Sequence, residues 1–442
     1  MHDSPPPTPP SRYSTRRDER RFESITLPCE WVENYRPGGF HPVNLDDLFH
    51  DGQYKVIRKL GQGSFSTVWL ARDQSNNRYV ALKILVGASE SAKELQILHH
   101  LAQVAPSQMT QRTTQLLDEF EHIGPNGIHT CLVFEPMGPS VDSMVEELPQ
   151  FKPRRFGMNI RYPPPMARSI LKQALQGLAV LHENGIAHGD FQPGNMLFAL
   201  DDIHSKPEDV LWQDTAAQPG PVSAQVQRLD GKPDKWAPQK LYAAQPLAPL
   251  TRITEDFQIK LSDMGGAFFF TDPPTKPIVP LGLRAPELVL AGEVNKTIDL
   301  WSFGCLVFEL MTGQPLFCVF WNDSETEQDD DHLLSLTTRL GPLPEALYRK
   351  WKTTSLYFTP DRQLFNFQLG GVPEGGQPLV LEHVSMEEMF DRAKPDIDAE
   401  EAAKVKKLVR RILQYDPAQR PSPAELLRDP WFCDGESGSG SS

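Results

Sequence analysis

HGDFQPGN, at residues 188–195, is the stretch of this sequence that decides the fold. Within it, Asp190 offers a carboxylate that can accept a proton from a hydroxyl, and Asn195 offers an amide oxygen that suits a hard cation. Farther along, Asp263 follows an apolar strand and precedes two glycines. This order suits phosphoryl transfer assisted by Mg²⁺, which depends on positioned charge rather than covalent chemistry. Taken singly, each residue also fits a plain turn or strand end.

A glycine-bearing turn, LGQGSFSTV at residues 60–68, lies between strands predicted at 53–60 and 66–72. Glycines let backbone amides approach phosphate oxygens closely. The motif alone is weak, because Gly-x-Gly turns are common in hairpins. A Rossmann dinucleotide site would require a helix directly after the glycines, whereas the residues that follow predict a strand.

Lys83 lies in the middle of a continuous apolar strand, YVALKILV at residues 79–86. A lysine there could extend to an edge of the sheet, but a buried ammonium is costly unless it is paired. The possible partners are nucleotide phosphates and a glutamate of the helix predicted at 90–103. Glu94 is favoured over Glu90 because it opens the apolar helical run of that segment.

Composition and charge narrow the class of protein. The chain has 442 residues, is 39% hydrophobic and carries a net charge of −14. It has no run of eighteen apolar residues, so we expect no membrane span. Its five cysteines are scattered without metal-ligand spacing, which indicates a reducing compartment. The acidic balance argues against direct nucleic-acid binding and mildly favours basic partners, although a solvated acidic surface without a partner is the more common explanation.

Shifts in composition and periodicity divide the chain. The first 35 or so residues are rich in Pro, Ser and Arg, and we expect no packed element there. Prolines and weak periodicity indicate an insertion that is partly a long loop. The predicted divisions are a disordered tail and extension at 1–52, a β-rich lobe at 53–137, a mainly helical lobe at 138–433 with the insertion at about 199–256, and a flexible tail at 434–442.

These motifs stand in the order of the protein-kinase signature set, and the chain resembles that family over residues 53–433. The resemblance implies an α+β, bilobal fold with a small β-rich lobe, a larger helical lobe and a nucleotide in the cleft between them. The segments that carry it are GQGSFSTV (61–68), VALK (80–83), HGDFQPGN (188–195), DMG (263–265), RAPE (284–287), DLWSFG (299–304) and Arg420.

The resemblance implies specific catalytic roles in an ATP- and Mg²⁺-dependent serine/threonine kinase. Lys83 and Glu94 would pair, and Asp190 would be the catalytic base. Asn195 and Asp263 would hold Mg²⁺. The residues that would contact ATP are Leu60, Gly61, Gln62, Gly63, Ser64, Phe65, Ser66, Val68, Ala81, Lys83, Glu135 and Met137.

The resemblance also assigns supporting roles. Phe134 would occupy the gatekeeper position. Glu135 and Met137 would contact adenine through their backbone groups. Glu287 and Arg420 would form a buried ion pair, and Asp299 would brace the catalytic loop.

More narrowly, the chain is similar to the SR-protein kinases, which phosphorylate Arg/Ser-rich splicing factors. That similarity implies basic Arg/Ser-rich substrates, a role in regulating mRNA splicing, and a cytoplasmic or nuclear location. We expect a monomer with neither direct nucleic-acid nor membrane binding. The acidic run from Asp323 to Asp331 is a candidate docking patch, with a solvated loop as an equal alternative. The segments that carry the similarity are YRPGGFHPV (35–43), STVWLA (66–71), VFE (133–135), DDHL (330–333) and LGPLP (340–344).

Three positions depart from the protein-kinase pattern. Gly189 replaces an arginine, so no cation is present there to receive a phosphorylated activation loop, and we expect activity that is not switched in that way. Gln192 replaces a lysine near the γ-phosphate, which removes a charge-stabilising contact and predicts slow or absent transfer. Ser66 replaces the third glycine of the turn, a milder change.

Two alternatives remain at this point. The loop sequence also resembles small-molecule kinases of the aminoglycoside and choline type, but the segments at 284–287 and 299–304 favour a protein kinase. A pseudokinase scaffold is the other alternative. Retention of all five residues of the implied catalytic set argues against it, whereas Gln192 is the main argument for it.

Overall fold

The computed structural model describes residues 20–88, 92–216, 220–251, 253–254, 256–290 and 292–433. The chain folds into two compact units. The first comprises the residues up to Leu95 together with Thr114–Pro139 and Leu197–Phe257, and the second comprises Gln96–Thr113, Ser140–Met196 and the residues from Gln258 onward. The insertion, assigned from the sequence to the second lobe, therefore folds within the first unit. Glu90 and the predicted tail at 434–442 lie outside the described residues.

An antiparallel sheet with strand order β1-β2-β3-β4-β6-β5 forms the centre of the first unit. β4 is buried along almost its whole length, with Val80, Leu82 and Ile84 in one apolar cluster and Tyr79 in another, which agrees with its continuous apolar sequence. The strands are β1 (Leu48–Phe49), β2 (Tyr54–Gln62), β3 (Ser66–Asp73), β4 (Arg78–Leu85), β5 (Leu116–Gly124) and β6 (Gly127–Phe134).

The insertion covers the open edge of β2. The side-chain oxygen of Gln213 accepts from the Lys59 backbone amide at 3.0 Å, and the Gln213 amide donates to the Ile57 carbonyl at 3.0 Å. Gln245 donates its backbone amide to the Lys59 carbonyl at 2.8 Å. An uncovered edge strand would expose such groups to unwanted pairing. The insertion is thus a structural part of the sheet unit rather than a loose loop.

The N-terminal segment is also packed, which corrects the expectation for residues up to about 35. From residue 20 onward it is described, and Phe22, Tyr35 and Phe40 are each buried in one apolar cluster with Leu241 of the insertion. The Pro- and Arg-rich composition misled the prediction because a few widely spaced aromatic anchors suffice to bury this segment. Residues 1–19 lie outside the described part.

The second unit is mainly helical. Its longest helix, α4, ends at Glu183 with Gly185 in the left-handed region (φ 75°), as the Asn-Gly pair predicted. The helices of the chain are α1 (Ala92–Val104), α2 (Pro106–Arg112), α3 (Val141–Glu147), α4 (Pro164–Glu183), α5 (Glu208–Leu211), α6 (Pro286–Leu290), α7 (Thr297–Thr312), α8 (Glu325–Leu340), α9 (Glu345–Tyr348), α10 (Met386–Ala393), α11 (Ala399–Ile412), α12 (Pro423–Leu426) and α13 (Pro430–Cys433).

α7 is the central helix of the second unit and is buried over nearly its whole length. It packs against α4 and against α11, whose apolar stripe was predicted from its helical spacing. The part of the chain that the structure describes contains four further short strands, and β7 pairs antiparallel with β10. They are β7 (Ile186–Ala187), β8 (Met196–Phe198), β9 (Ile259–Leu261) and β10 (Phe268–Phe269). Within the described residues no helix is both long and apolar enough to cross a membrane.

Candidate active site

Lys83 and Glu94 form a buried ion pair in the first unit. The Lys83 Nζ lies 2.8 Å from the Glu94 Oε1, and the two residues are 9% and 6% exposed. β4 has neighbours on both sides, so Lys83 cannot reach an edge of the sheet. The predicted pairing of these two residues is therefore confirmed as a contact, and the glutamate satisfies an ammonium that would otherwise be costly to bury.

The glycine-bearing turn joins β2 to β3 and faces open space. The Gly63 amide donates to the Ser66 carbonyl at 2.9 Å, which closes the hairpin. A Cβ added at Gly61 or Gly63 would meet no heavy atom within 4 Å. Neither glycine is needed for internal packing, so the open face fits a ligand that the backbone must approach closely. Phe65 at the tip is 63% exposed.

Two other predicted ATP-contacting residues, Val68 and Ala81, lie close to Lys83 in the sheet. Val68 pairs with Lys83 across β3 and β4, and Ala81 pairs with Phe134 across β4 and β6. After β6, the Glu135 carboxylate accepts from the Gln115 amide at 3.0 Å. The Glu135 side chain is thus engaged in structure, which agrees with a backbone role in adenine recognition. The nearby Met137 is buried.

In the second unit, the loop after β7 is held by a buried aspartate of α7. The two Asp299 carboxylate oxygens accept the backbone amides of His188 at 2.8 Å and Gly189 at 2.9 Å. His182 Nε2 lies 2.9 Å from the same carboxylate. The expectation that Asp299 braces this loop is confirmed, because a carboxylate accepting several amides fixes the backbone beside Asp190.

Gly189 occupies a backbone conformation that excludes the arginine usual at this position. Its φ is 72°, and an added Cβ would lie 2.0 Å from the Gly266 carbonyl oxygen. Any side chain here would have to move that carbonyl. The glycine is therefore required by the local geometry of the loop.

Asp190 is held by two neutral amides. Gln192 Nε2 donates to its Oδ1 at 2.7 Å, and Asn195 Nδ2 donates to its Oδ2 at 2.8 Å. Burial raises the pKa of the Asp190 carboxyl above its usual value, while these two hydrogen bonds oppose the rise. The result is an oriented carboxylate with an increased affinity for a proton.

Ser262, which directly precedes Asp263, links it to Asn195 through a backbone hydrogen bond. The Ser262 amide donates to the Asn195 carbonyl at 2.8 Å, and Asp263, the next residue, adopts a left-handed backbone with φ 59°. Among the described residues no group of three or more His, Cys, Asp or Glu could hold a metal ion. An amide and a carboxylate oxygen nevertheless fit Mg²⁺, because this ion takes few protein ligands and completes its shell with phosphates and water.

A protein-kinase-domain family model matches residues 54–209 and 251–432, which is most of the chain. The stretch left unmatched between these two ranges, 210–250, falls within the insertion. A serine/threonine-protein kinase SRPK from Physarum polycephalum is 32% identical, and the match covers 92% of this chain and 91% of that protein. The chain is a serine/threonine protein kinase of the SR-protein kinase family.

Other relatives agree with this assignment. Mouse SRSF protein kinase 3 is 24% identical, with 90% of each chain covered. The protein kinase dsk1 of Schizosaccharomyces pombe is 25% identical over 93% of this chain and 86% of its own. A crystal structure of a kinase domain matches with a TM-score of 0.59, 23% identity and coverage of 89% and 98% of the two chains, which supports the bilobal α+β kinase fold.

The kinase also has the buried ion pair that the family resemblance implied. Arg420 donates from Nη1 and Nη2 to the two Glu287 carboxylate oxygens at 2.6 and 2.7 Å. Its guanidinium lies 4.9 Å from the centre of the Trp301 ring. The pair is bidentate, which favours arginine over lysine here and ties α6 to the segment between α11 and α12.

The acidic run of the kinase is neither a loop nor a uniform surface patch. Most of it lies in α8, which begins after Ser324. Asp330 is buried and accepts from Trp351 Nε1 at 2.6 Å and from the Tyr357 hydroxyl at 2.7 Å. Asp331 accepts the Phe320 amide at 3.2 Å. Both carboxylates are structural, so the docking hypothesis is restricted to the acidic residues before them.

Two acidic residues beside the catalytic loop were missed from the sequence. Asp142 on α3 and Glu309 on α7 line the same cavity as Gln192. The only available signal was an acid in the otherwise apolar second half of α7. Nothing in the local sequence connects it with Asp142, which is far away along the chain.

Proposed function

We propose that this kinase transfers the γ-phosphate of ATP to serine or threonine hydroxyls of Arg/Ser-rich proteins, with Mg²⁺. The observation that carries the proposal is the Asp190 carboxylate, held by two side-chain amides on a loop that Asp299 braces. An acid fixed in this way suits a hydroxyl nucleophile, because phosphoryl transfer depends chiefly on orientation and charge.

In this proposal the first unit binds the nucleotide. The Lys83 ammonium, oriented by Glu94, contacts phosphate oxygens, and the amides of the turn at Gly61 and Gly63 approach the same group. The backbone of Glu135 and Met137 contacts adenine. The space beside both glycines supports this assignment, because no heavy atom of the described residues lies within 4 Å of a Cβ built at either position.

Asp190 acts as the catalytic base. The substrate hydroxyl donates to its carboxylate and transfers its proton there as the oxygen attacks the γ-phosphorus. Burial favours this proton transfer because it raises the pKa of the Asp190 carboxyl. Asn195 keeps the carboxylate in place through its hydrogen bond to Oδ2.

Asn195 and Asp263 would hold Mg²⁺ through an amide and a carboxylate oxygen. When bound, the ion neutralises charge on the phosphates. The Asn195 Nδ2 is occupied by Asp190, which leaves its amide oxygen for the cation. The Asp263 carboxylate accepts from the Gly265 amide at 3.1 Å, which limits its rotation.

Gln192 provides a neutral donor where most serine/threonine kinases provide a cation. Its amide hydrogen-bonds Asp190, so the orientation of the base is retained. The stabilisation of charge in the transition state is weaker, since an amide replaces an ammonium. We therefore expect measurable but slow transfer. A scaffold without activity is the second candidate function, and Gln192 is the observation that favours it.

The Arg/Ser-rich substrate class rests on the SR-protein kinase family and on the net charge of −14. The family relation motivates a cytoplasmic or nuclear location, and the acidic charge argues against direct binding to nucleic acid. We also propose that the kinase acts as a monomer and does not bind a membrane.

A transfer assay with radiolabelled ATP and Mg²⁺ tests this proposal. It compares an Arg/Ser peptide, a neutral serine peptide and an aminoglycoside. We expect label in the Arg/Ser peptide first, weaker label in the neutral peptide and none in the aminoglycoside. Equal labelling of both peptides would remove the substrate assignment. ATP binding without label in any acceptor would favour the scaffold.

A further inference from the structure

A short part of the N-terminal segment packs against the stretch of chain that joins β4 to α1. The Gly87 amide donates to the Gly39 carbonyl at 3.0 Å. The next amide, of Ala88, donates to the Gly38 carbonyl at the same distance, 3.0 Å. Both bonds join main chain to main chain, so they fix the position of the backbone directly. The match to the protein-kinase-domain model begins at residue 54, so this contact is made by a part of the chain that precedes the matched domain.

The two segments approach each other closely because glycines face each other. A Cβ built at Gly87 would lie 3.0 Å from the Asn126 carbonyl oxygen and 3.5 Å from the Gly38 Cα. A Cβ built at Gly39 would lie 1.9 Å from the Asn34 carbonyl oxygen. Side chains at these positions would push the backbones apart, so the sequence is fitted to this contact.

Asn126, in the turn between β5 and β6, fastens further parts of the first unit to the same contact. Its carbonyl accepts the Gly38 amide at 2.7 Å. Its side-chain amide donates to the Phe40 carbonyl at 2.5 Å and to the Trp236 carbonyl at 2.8 Å. The residue is 1% exposed. One buried asparagine therefore holds the N-terminal segment at two points and the insertion at a third.

The fastened stretch connects the two members of the Lys83–Glu94 ion pair. Lys83 precedes it on β4, which has strands on both sides, and Glu94 follows it in the first turn of α1. Ala92 and Lys93, which precede Glu94 in this helix, are exposed. The start of α1 thus has no apolar anchor of its own before Glu94, and its position depends on the chain that leads into it.

The same stretch also contacts the glycine-bearing turn. Val86, its first residue, donates its amide to the Phe65 carbonyl at 2.9 Å. A protein kinase needs its lysine–glutamate pair in place for transfer, and the helix that carries the glutamate controls this. A glycine in the connecting chain would leave that helix mobile unless other contacts restrict it.

We propose that the N-terminal segment at 37–41, together with Asn126, holds the start of α1 so that Glu94 meets Lys83. Asn126 is then a positioning residue for turnover that acts through the ion pair. The inference rests on the proposed function, in which Glu94 orients the Lys83 ammonium toward the phosphates. It gives the segment before the kinase domain a role in keeping the kinase active.

A double-mutant cycle in turnover tests the proposal, at a temperature well below the melting of every variant. Asn126→Ala leaves two buried carbonyls without their donor. We expect its kcat on an Arg/Ser peptide to fall about tenfold, with the peptide KM within about twofold. In a Glu94→Gln background the same change should lower kcat less than about twofold, because the pair through which it acts is already lost.

Asn366→Ala is the matched control. Asn366 is 0% exposed and donates its side-chain amide to the Leu356 carbonyl at 3.0 Å and the Gln368 carbonyl at 3.2 Å, in the second unit. It should lower the melting temperature without lowering kcat more than about twofold. Gly87→Ala is a second variant of the contact, should Asn126→Ala fail to fold. We expect from it a smaller loss of kcat that is again absent with Glu94→Gln.

Hydrogen exchange measures the hold on α1 without requiring turnover. The backbone amides of α1 should exchange about tenfold faster in Asn126→Ala than in the native chain, while those of α7 keep their rates. This readout decides the inference even for a chain that transfers no phosphate.

Unchanged exchange in α1 would overturn the inference, as would an equal fractional loss of kcat in the native and Glu94→Gln backgrounds. Faster exchange in α1 with unchanged turnover would retain the hold on the helix and contradict the role of Glu94 in the proposed function. The two failures are therefore distinguishable.

Discussion

Two lysines of the same sheet are buried beside glutamates, yet they differ in how completely they are closed off from solvent. Lys59 on β2 pairs with Glu30, and both side chains are almost fully inaccessible, at 0% and 2% exposed. Lys83 on β4 pairs with Glu94, but its side chain keeps 11% of its surface exposed. One ion pair is sealed inside the protein, and the other remains reachable by a ligand.

The sealed pair is closed on every side. The Lys59 Nζ also donates to the Tyr242 carbonyl at 2.9 Å and lies 5.7 Å from the centre of the Trp69 ring. The second Glu30 oxygen accepts from the Tyr35 hydroxyl. This network ties the N-terminal segment and the insertion to β2. Residual accessibility, rather than the ion pair itself, therefore distinguishes Lys83, for which we propose a role in nucleotide binding, from Lys59.

Lys59→Met should give the largest change in stability. Removing the ammonium leaves Glu30 charged and buried, which costs about 3–5 kcal/mol of unfolding free energy. The double variant Lys59→Met/Glu30→Gln should recover a large part of the loss. Urea denaturation measures both. A loss below about 1 kcal/mol in the single variant would show that the pair is not sealed.

Lys83→Met should affect turnover strongly and stability weakly, the opposite of Lys59→Met. We expect turnover to fall about 10²- to 10³-fold, because a charge aimed at the phosphates is lost. The open side of this pair gives solvent access, so the change in unfolding free energy should be clearly smaller than for Lys59→Met. Kinetics and denaturation on the same preparation check this. A stability loss equal to that of Lys59→Met would erase the distinction between the two lysines.

These pairs also show what the sequence could and could not predict. Lys83, Asp190, Asn195 and Asp263 stand in short motifs whose order is informative. Glu30 and Tyr242, by contrast, meet Lys59 across 29 and 183 residues of chain, within segments rich in proline and poor in periodicity. Single side chains that are buried by contacts far away in the sequence leave no hydrophobic periodicity in their own segment. The packing of the N-terminal segment and of the insertion could therefore not be predicted from the sequence.

Gly189 and Gly63 show the same contrast between a tightly packed position and one that faces open space. Gly189→Ala should lower the unfolding free energy by about 2–3 kcal/mol, since the new Cβ meets the Gly266 carbonyl and the backbone has a positive φ. Gly63→Ala has no neighbour to displace and should cost less than about 1 kcal/mol. Thermal melts compare the two variants. Equal stability losses would contradict the description of the Gly63 turn as open.

A histidine cluster makes the sheet unit sensitive to acid. The centre of the His41 ring lies 4.5 Å from the centre of the His122 ring and 5.0 Å from that of the His129 ring. Burial, and then the two neighbours, lowers the pKa of His41 to about 3. The folded chain thus keeps His41 neutral while the unfolded chain protonates below its ordinary pKa of 6.5.

Stability contributed by neutral His41 is therefore complete above pH 6.5 and decreases as the pH falls toward 3. We expect a loss of about 2 kcal/mol at pH 5 from this residue alone. His41→Phe should flatten the pH dependence of the unfolding free energy, whereas the exposed control His383→Gln should not. Identical slopes for the native chain and His41→Phe would contradict this assignment.

The most direct test of the account is the initial rate of phosphate transfer from radiolabelled ATP to an Arg/Ser peptide by Asp190→Ala. We predict a rate about 10²- to 10⁴-fold below that of the native chain, with ATP affinity retained, because the base is lost and the nucleotide contacts are intact. A rate equal to that of the native chain would contradict the assignment of Asp190 as the base on which the proposed mechanism rests.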